Sequence, residues 1–219
     1  MAQRRALVVG ASRGLGLVLV TELDRRGWEV IATTRNGTVH REGMRTEQLE
    51  MTDDAQIAAL RGRVDGPLDL LFVNAAINQG NLPIGEVPAA MFAEVMITNA
   101  LSPLKVLEGL HDLVKPGGTV AVMSSEQGSI SMNTEPGYEL YKASKAALNQ
   151  LMRSYATRQE SDGRTKLLID PGHNRTRLGG PDAPLLPEES IPAVVDVLEA
   201  RAGEPGLQFL DRFGKPVPW

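Results

Sequence analysis

Ala6-Leu7-Val8-Val9-Gly10-Ala11-Ser12-Arg13-Gly14-Leu15-Gly16 decides the fold. A short apolar run that stops at a glycine, followed by two further glycines and then by helical periodicity, reads as strand, tight turn and helix. Gly10, Gly14 and Gly16 let the backbone turn sharply and approach a pyrophosphate, whose charge is met by the N–H groups opening the next helix. Ser12, Arg13 and Leu15 complete that turn as candidate cofactor contacts. The spacing is Gly-x-x-x-Gly-x-Gly, not the commoner Gly-x-Gly-x-x-Gly, and it also reads as an ordinary glycine loop.

Outward from this turn, strands and helices alternate. The helix runs roughly from Leu15 to Arg26, and Gly27 separates it from a β-branched strand, Trp28 to Thr34. That strand ends at Arg35, where dinucleotide folds meet the adenosine ribose. An acid there selects the 2′-hydroxyl of NAD(H); Arg35, with Arg13 in the turn and no acid beside it, favours the 2′-phosphate of NADP(H). Each arginine also reads as a solvated surface residue. Arg45 to Met51 is a third strand, and Thr52-Asp53 caps a helix from about Asp54 to Arg63.

Beyond the Gly66-Pro67 break, Leu68 to Val73 is a buried strand running into Asn74-Ala75-Ala76. One long helix is expected from Pro88 to Val114, with Asn99 near its middle and Lys115-Pro116-Gly117-Gly118 as its stop. Thr119 to Met123 is a strand delivering Ser124-Ser125, and a helix to about Arg158 carries Tyr141-Lys142-Ala143-Ser144-Lys145. Lys166 to Ile169 is a sixth strand leading to Pro171-Gly172. An irregular segment to Pro187, a last helix from Glu188 to Arg201 and a short strand at Leu207 to Leu210 follow. The alternation predicts one α/β domain over 1–219, a doubly wound, Rossmann-like parallel sheet of about seven strands with helices on both faces. Ligands of such sheets sit beyond the carboxyl ends of the strands, where Gly10, Arg35, Asn74, Ser125 and Pro171 all fall.

Tyr141 and Lys145 lie four positions apart, so on a helix they share one stripe at a rise of roughly 6 Å. A cation held beside a phenol favours the phenolate and is expected to pull the tyrosine below its usual value of about 10, into the range of a general acid or base. Taken alone, the pair also reads as a packed tyrosine beside a solvated lysine. Ser125 reads alone as a turn cap, and Asn74 as a strand-end residue satisfying backbone groups. Asn99 costs helix propensity where it stands.

Composition narrows the classes. In 219 residues the hydrophobic fraction is 42% and the aromatic fraction 4%, so the core is aliphatic, as buried parallel strands require. No cysteine is present, which excludes disulfide scaffolds and thiolate chemistry and fits a cytoplasmic location. The balance of 23 Lys+Arg against 27 Asp+Glu, with no basic block, argues against nucleic acid as a partner. No apolar run approaches the ~20 residues of a bilayer span. His40, His111 and His173 stand in no metal-ligand spacing, so no catalytic metal is expected.

With these positions in hand, the chain resembles the short-chain dehydrogenase/reductase family over nearly its whole length. Gly10 to Gly16 looks like the family's cofactor turn, and Asn74-Ala75-Ala76 like its Asn-Ala-Gly segment with Ala76 in place of glycine. Asn99, Ser125, Tyr141 and Lys145 are similar in order to its catalytic residues, and Pro171-Gly172 with Thr176 to the segment at the nicotinamide end. The run from Arg175 to Pro184 and the ending Asp211 to Trp219 look like C-factor and sniffer-type carbonyl reductases within that family. Asp170 and His173-Asn174 depart from the pattern and put the substrate class in doubt.

The resemblance implies hydride transfer between NADP(H), less readily NAD(H), and a small-molecule carbonyl or alcohol. In that reading Tyr141 passes the proton, Lys145 holds the ribose and lowers the phenol, Ser125 binds the substrate oxygen and Asn99 binds a water feeding Lys145. A substrate loop at about 171–187 lacks a long lid. Glu126, Glu135 and Glu139 flank the expected substrate mouth, either shaping a cationic or hydroxyl-rich preference or simply solvated. The helices near 88–114 and 138–158 would pair in a homodimer or homotetramer, although the sniffer-like ending also suits a monomer. The rival reading is a regulatory or signalling module that binds the dinucleotide with little turnover.

Overall fold

In the computed structural model the described residues are 3–37 and 43–219; Met1, Ala2 and 38–42, with His40 among them, lie outside. The strands are β1 (Arg5–Val9), β2 (Glu29–Thr34), β3 (Arg45–Gln48), β4 (Leu68–Val73), β5 (Val114–Met123), β6 (Thr165–Asp170) and β7 (Gly206–Asp211). They form one sheet in the order β3-β2-β1-β4-β5-β6-β7, and every pairing is parallel. The helices are α1 (Gly14–Arg25), α2 (Asp54–Arg61), α3 (Ala89–Met96), α4 (Ser102–Leu110), α5 (Glu139–Arg158) and α6 (Pro187–Ala200). This is the doubly wound, Rossmann-like α/β arrangement. Order reverses between β1 and β4, the place where such sheets open a crevice.

The two-residue period of the strands sorts their side chains into two cores. Leu7, Val9, Leu71, Val73, Val120 and Val122 pack with Ile57 and Leu60 of α2, Leu104, Leu107 and Leu110 of α4, and Leu148, Met152 and Tyr155 of α5. Their sequence neighbours Ala6, Val8, Leu70, Phe72 and Ala121 face the other way, onto Leu19, Val20 and Leu23 of α1 and Ile191, Val194 and Leu198 of α6. Each buried leucine or valine contributes about 1.5–3 kcal/mol, so register is fixed from both faces. At one edge β3 is polar. Glu47 bridges Arg45 and Arg63 there, which discourages further pairing.

Several element boundaries differ from expectation. The third strand stops at Gln48; Leu49 and Met51 are buried but lie beyond it. The single helix expected over 88–114 is broken by a π-helical turn, Ile97–Leu101, with α4 resuming at Ser102 and a 3₁₀ turn, His111–Leu113, ending it. Val114 already belongs to β5, whose register on β4 shifts between Leu68 and Leu70 as the chain passes the glycine pair. The stretch Ala89–Leu113 is long and apolar enough to cross a bilayer by length and composition, contrary to the sequence reading. It packs instead as a core layer, with Val95, Ala100, Val106, Leu107 and Leu110 buried. Asp53 caps α2 as expected, its carboxylate accepting from the N–H groups of Ala55 and Gln56.

Candidate active site

A crevice of about 820 Å³ opens at the carboxyl ends of the strands. Of the residues singled out above, Gly10, Ser12, Arg13, Gly14, Leu15, Arg35, Asn74, Ala75, Ser125, Tyr141, Lys145, Pro171, Gly172 and Thr176 line it. Gly16 and Asn99 stand behind its wall, both buried.

The glycine turn is shaped by close approach. Gly10 has φ +88° with an added Cβ falling 2.6 Å from Ala75 Cβ, and Gly16 lies against the Gly10 carbonyl and Asn74 Nδ2. Asn74 Nδ2 donates to that carbonyl at 3.0 Å, so Asn74 ties β4 to the turn. No described side chain caps α1 and its first turn carries no acid, which leaves its opening N–H groups aimed at the crevice. Such an end, with Arg13 and Arg35 exposed beside it, fits a polyanionic group. Thr176 sits against Gly14, its Oγ1 accepting from Gly179 N at 3.1 Å.

At the other end α5 presents Tyr141 and Lys145. Lys145 is buried, and its Nζ donates to the Met123 carbonyl at 2.9 Å while lying 5.8 Å from the centre of the Tyr141 ring. Burial pulls the ammonium down to about 8, against the opposing pull of Asp170. The phenol is not lowered, as the helical spacing suggested, but raised. Burial and the Asp170 carboxylate both oppose the phenolate, and only the Ser125 hydroxyl acts the other way. The Lys145 charge does not offset the lost solvation. Ser125 Oγ accepts from Gln127 N at 3.2 Å and, beside the phenol, converges with it.

Asn99 joins two elements of the site. Its Oδ1 accepts from Ile77 N at 2.8 Å, while its Nδ2 donates to Ile77 O at 2.8 Å and Ser144 Oγ at 3.0 Å. From the π turn that carries it, the side chain joins the segment after β4 to α5. Of the glutamates expected at the mouth, only Glu126 lines the crevice. Glu139 accepts from Ile84 N, and Glu135 offers its carbonyl to Lys142 Nζ. Glu94, Asn78 and Tyr138 line it unforeseen. Tyr138 precedes α5 in a left-handed conformation, φ 51°, which no spacing in the sequence signals. His173 also lines the crevice, with Nε2 2.8 Å from Gly179 O.

The sequence pattern of the family described as short chain dehydrogenase matches residues 4–183. This chain belongs to the short-chain dehydrogenase family. Its solved neighbours include a short-chain dehydrogenase/reductase from Burkholderia multivorans with bound NADP, 45% identical, with a TM-score of 0.96 over 100% of both chains. The carbonyl reductase Sniffer of D. melanogaster is 25% identical, with a TM-score of 0.87 over 100% of both chains. C-signal of Myxococcus xanthus is 35% identical over 156 residues, which is 70% of this short-chain dehydrogenase and 94% of the relative.

Proposed function

We propose that this short-chain dehydrogenase is an NADP(H)-dependent oxidoreductase that interconverts a carbonyl and an alcohol, working as a carbonyl reductase. The observation that carries the reading is the convergence of Ser125, Tyr141 and Lys145 on the crevice that also receives the uncapped α1 end, Arg13 and Arg35. The NADP bound to the Burkholderia relative supports the cofactor. The α1 N–H groups with Gly10, Ser12, Gly14 and Leu15 would hold the pyrophosphate, Arg13 and Arg35 the 2′-phosphate, and Asn74-Ala75 the adenosine side. Lys145 would hold the nicotinamide ribose, and Pro171-Gly172 and Thr176 the nicotinamide end. When bound, the cofactor supplies or accepts the hydride.

The chain's own residues manage the proton. Tyr141 holds one at its phenolic oxygen and gives it to the substrate oxygen; its raised affinity keeps that proton in place at neutral pH until charge builds on the substrate oxygen. Ser125 Oγ donates a hydrogen bond to the same oxygen, stabilising charge as it builds. Asn99 keeps α5 in register with the segment after β4 and so fixes where Tyr141 stands.

The test is oxidation of NADPH with a panel of aromatic ketones, aldehydes and quinones. Tyr141→Phe abolishes turnover while leaving NADPH affinity within about threefold; retained turnover refutes the proton role. The name of the C-signal relative favours a second reading, a signalling module that binds the dinucleotide with little turnover. Tight NADPH binding with no turnover across the panel is its signature. Phe92, Ile97, Leu101 and Leu151 are exposed apolar residues on the segments expected to pair between copies, and sizing in solution reads whether the chain is a monomer, dimer or tetramer.

A further inference from the structure

Asp170 closes β6 and is buried, yet it lines the same crevice as Ser125, Tyr141 and Lys145. Its carboxylate joins two loops. Oδ1 accepts from Glu126 N at 3.0 Å, in the residue after Ser125, and Oδ2 accepts from Gly172 N at 3.2 Å, in the turn after Pro171. The catalytic reading of Tyr141 and Lys145 makes no use of it.

We propose that Asp170 is a positioning residue of this site, bolting the Ser125 loop to the Pro171-Gly172 turn and setting a fixed negative charge before Tyr141 and Lys145. The proposal rests on the reductase reading, in which Tyr141 is the proton donor. The groups facing the carboxylate are Glu126 from the segment after β5, Arg212 from the segment after β7, and Tyr141 and Lys145 from α5. Asp211 stands in register with Asp170 on β7 but spends its Oδ1 on the N–H groups of Phe213 and Lys215. His173, three positions on, turns its Nε2 to the Gly179 carbonyl.

Burial and Glu126 oppose ionisation of Asp170, while the two backbone N–H groups and Arg212 favour it. The balance leaves the carboxyl titrating at about 6, so it is charged at neutral pH and above. A fixed anion there disfavours the phenolate and favours the ammonium. Tyr141 therefore keeps the proton it must donate, and Lys145 is held above the value that burial alone would give it. Removing the anion moves both titrations down together.

The experiment compares wild type, Asp170→Asn and Asp170→Glu, each saturated with NADPH. The pH profile of kcat/KM for carbonyl reduction is read beside an NMR titration of tyrosine labelled at Cζ, with Tyr141→Phe assigning the resonance. Asp170→Asn brings the alkaline limb and the Tyr141 titration down together by about one pH unit, a tenfold loss in the phenol's affinity for its proton. Above the shifted limb the variant loses roughly tenfold in rate, and Asp170→Glu restores most of it. Asp170→Ser, an uncharged acceptor, takes the place of the amide if that variant does not fold. The proposal is overturned by a limb that stays in place or is absent from both proteins up to unfolding, or by a glutamate variant displaced as far as the asparagine. If no carbonyl is turned over, the reductase reading fails while the NMR titration still reads the effect of Asp170.

Discussion

Gly16→Ala sets two opposite terms against each other. Alanine in place of glycine inside a helix is worth about 1 kcal/mol in propensity. At Gly16, in the first turn of α1, the added methyl runs into the Gly10 carbonyl oxygen and falls 2.6 Å from Asn74 Nδ2, about 1 Å inside ordinary contact. Both neighbours belong to one hydrogen bond, Asn74 Nδ2 to Gly10 O at 3.0 Å, so neither can yield without weakening it. Overpacking costs typically 1–3 kcal/mol and the strained bond about 1 more, so the net is a destabilisation of about 1–3 kcal/mol.

Gly62→Ala is the control. Gly62 ends α2 with right-handed dihedrals, and its nearest neighbour to an added Cβ is Ala59 O at 3.6 Å, so the same exchange stabilises by about 0.4–1 kcal/mol. At roughly 2–4 °C per kcal/mol for a chain of this size, the two melting temperatures move apart in opposite directions from wild type. Calorimetry reads the difference. NADPH affinity falls at least about tenfold in Gly16→Ala alone, because the displaced loop is the proposed cradle. A Gly16→Ala protein that melts with Gly62→Ala, at or above wild type, refutes the packing argument.

Arg35→Ala weakens NADPH at least about tenfold and leaves NADH nearly unchanged, as losing a phosphate contact but not a ribose contact requires; equal losses by fluorescence titration would show that Arg35 does not read the 2′-phosphate. Asn99→Ala strands the Ile77 N–H and carbonyl and costs about 2–4 kcal/mol in denaturant unfolding, with turnover falling alongside. Glu22 is held down to about 2, first by its hydrogen bond to Arg25 and also by Arg26. Its folded value lies below its unfolded one, so its contribution is complete above about pH 4.5 and lost as pH falls toward 2; the stability gap between wild type and Glu22→Gln closes over that window, and a gap constant with pH would contradict the assignment.

The parallel sheet was legible because β1, β4 and β5 are apolar runs followed by glycine, asparagine or serine, and those endings fall on the crevice. Ser125, Tyr141 and Lys145 were legible as an ordered set. The electrostatics were not. Spacing along α5 places Lys145 near Tyr141 but says nothing of the Met123 carbonyl that takes its Nζ, nor of Asp170, which arrives from β6. Asn99 was found for its residue type but not for its partners, since Ile77 and Ser144 lie 22 and 45 residues away. Glu135 and Glu139 sit near the mouth in sequence only.

The π turn at Ile97–Leu101 also acts as a phase correction. It winds one extra residue into a helix that otherwise advances about 100° per residue, so α3 and α4 follow different angular frames. Winding all five residues 97–101 as ordinary α-helix would rotate everything downstream by a little over a quarter turn, and Leu104, Leu107 and Leu110 would leave the sheet. The core face of α4 is thus written in a reading frame that the π turn sets: the turn absorbs one residue, and losing the turn while keeping that residue is a frameshift in packing.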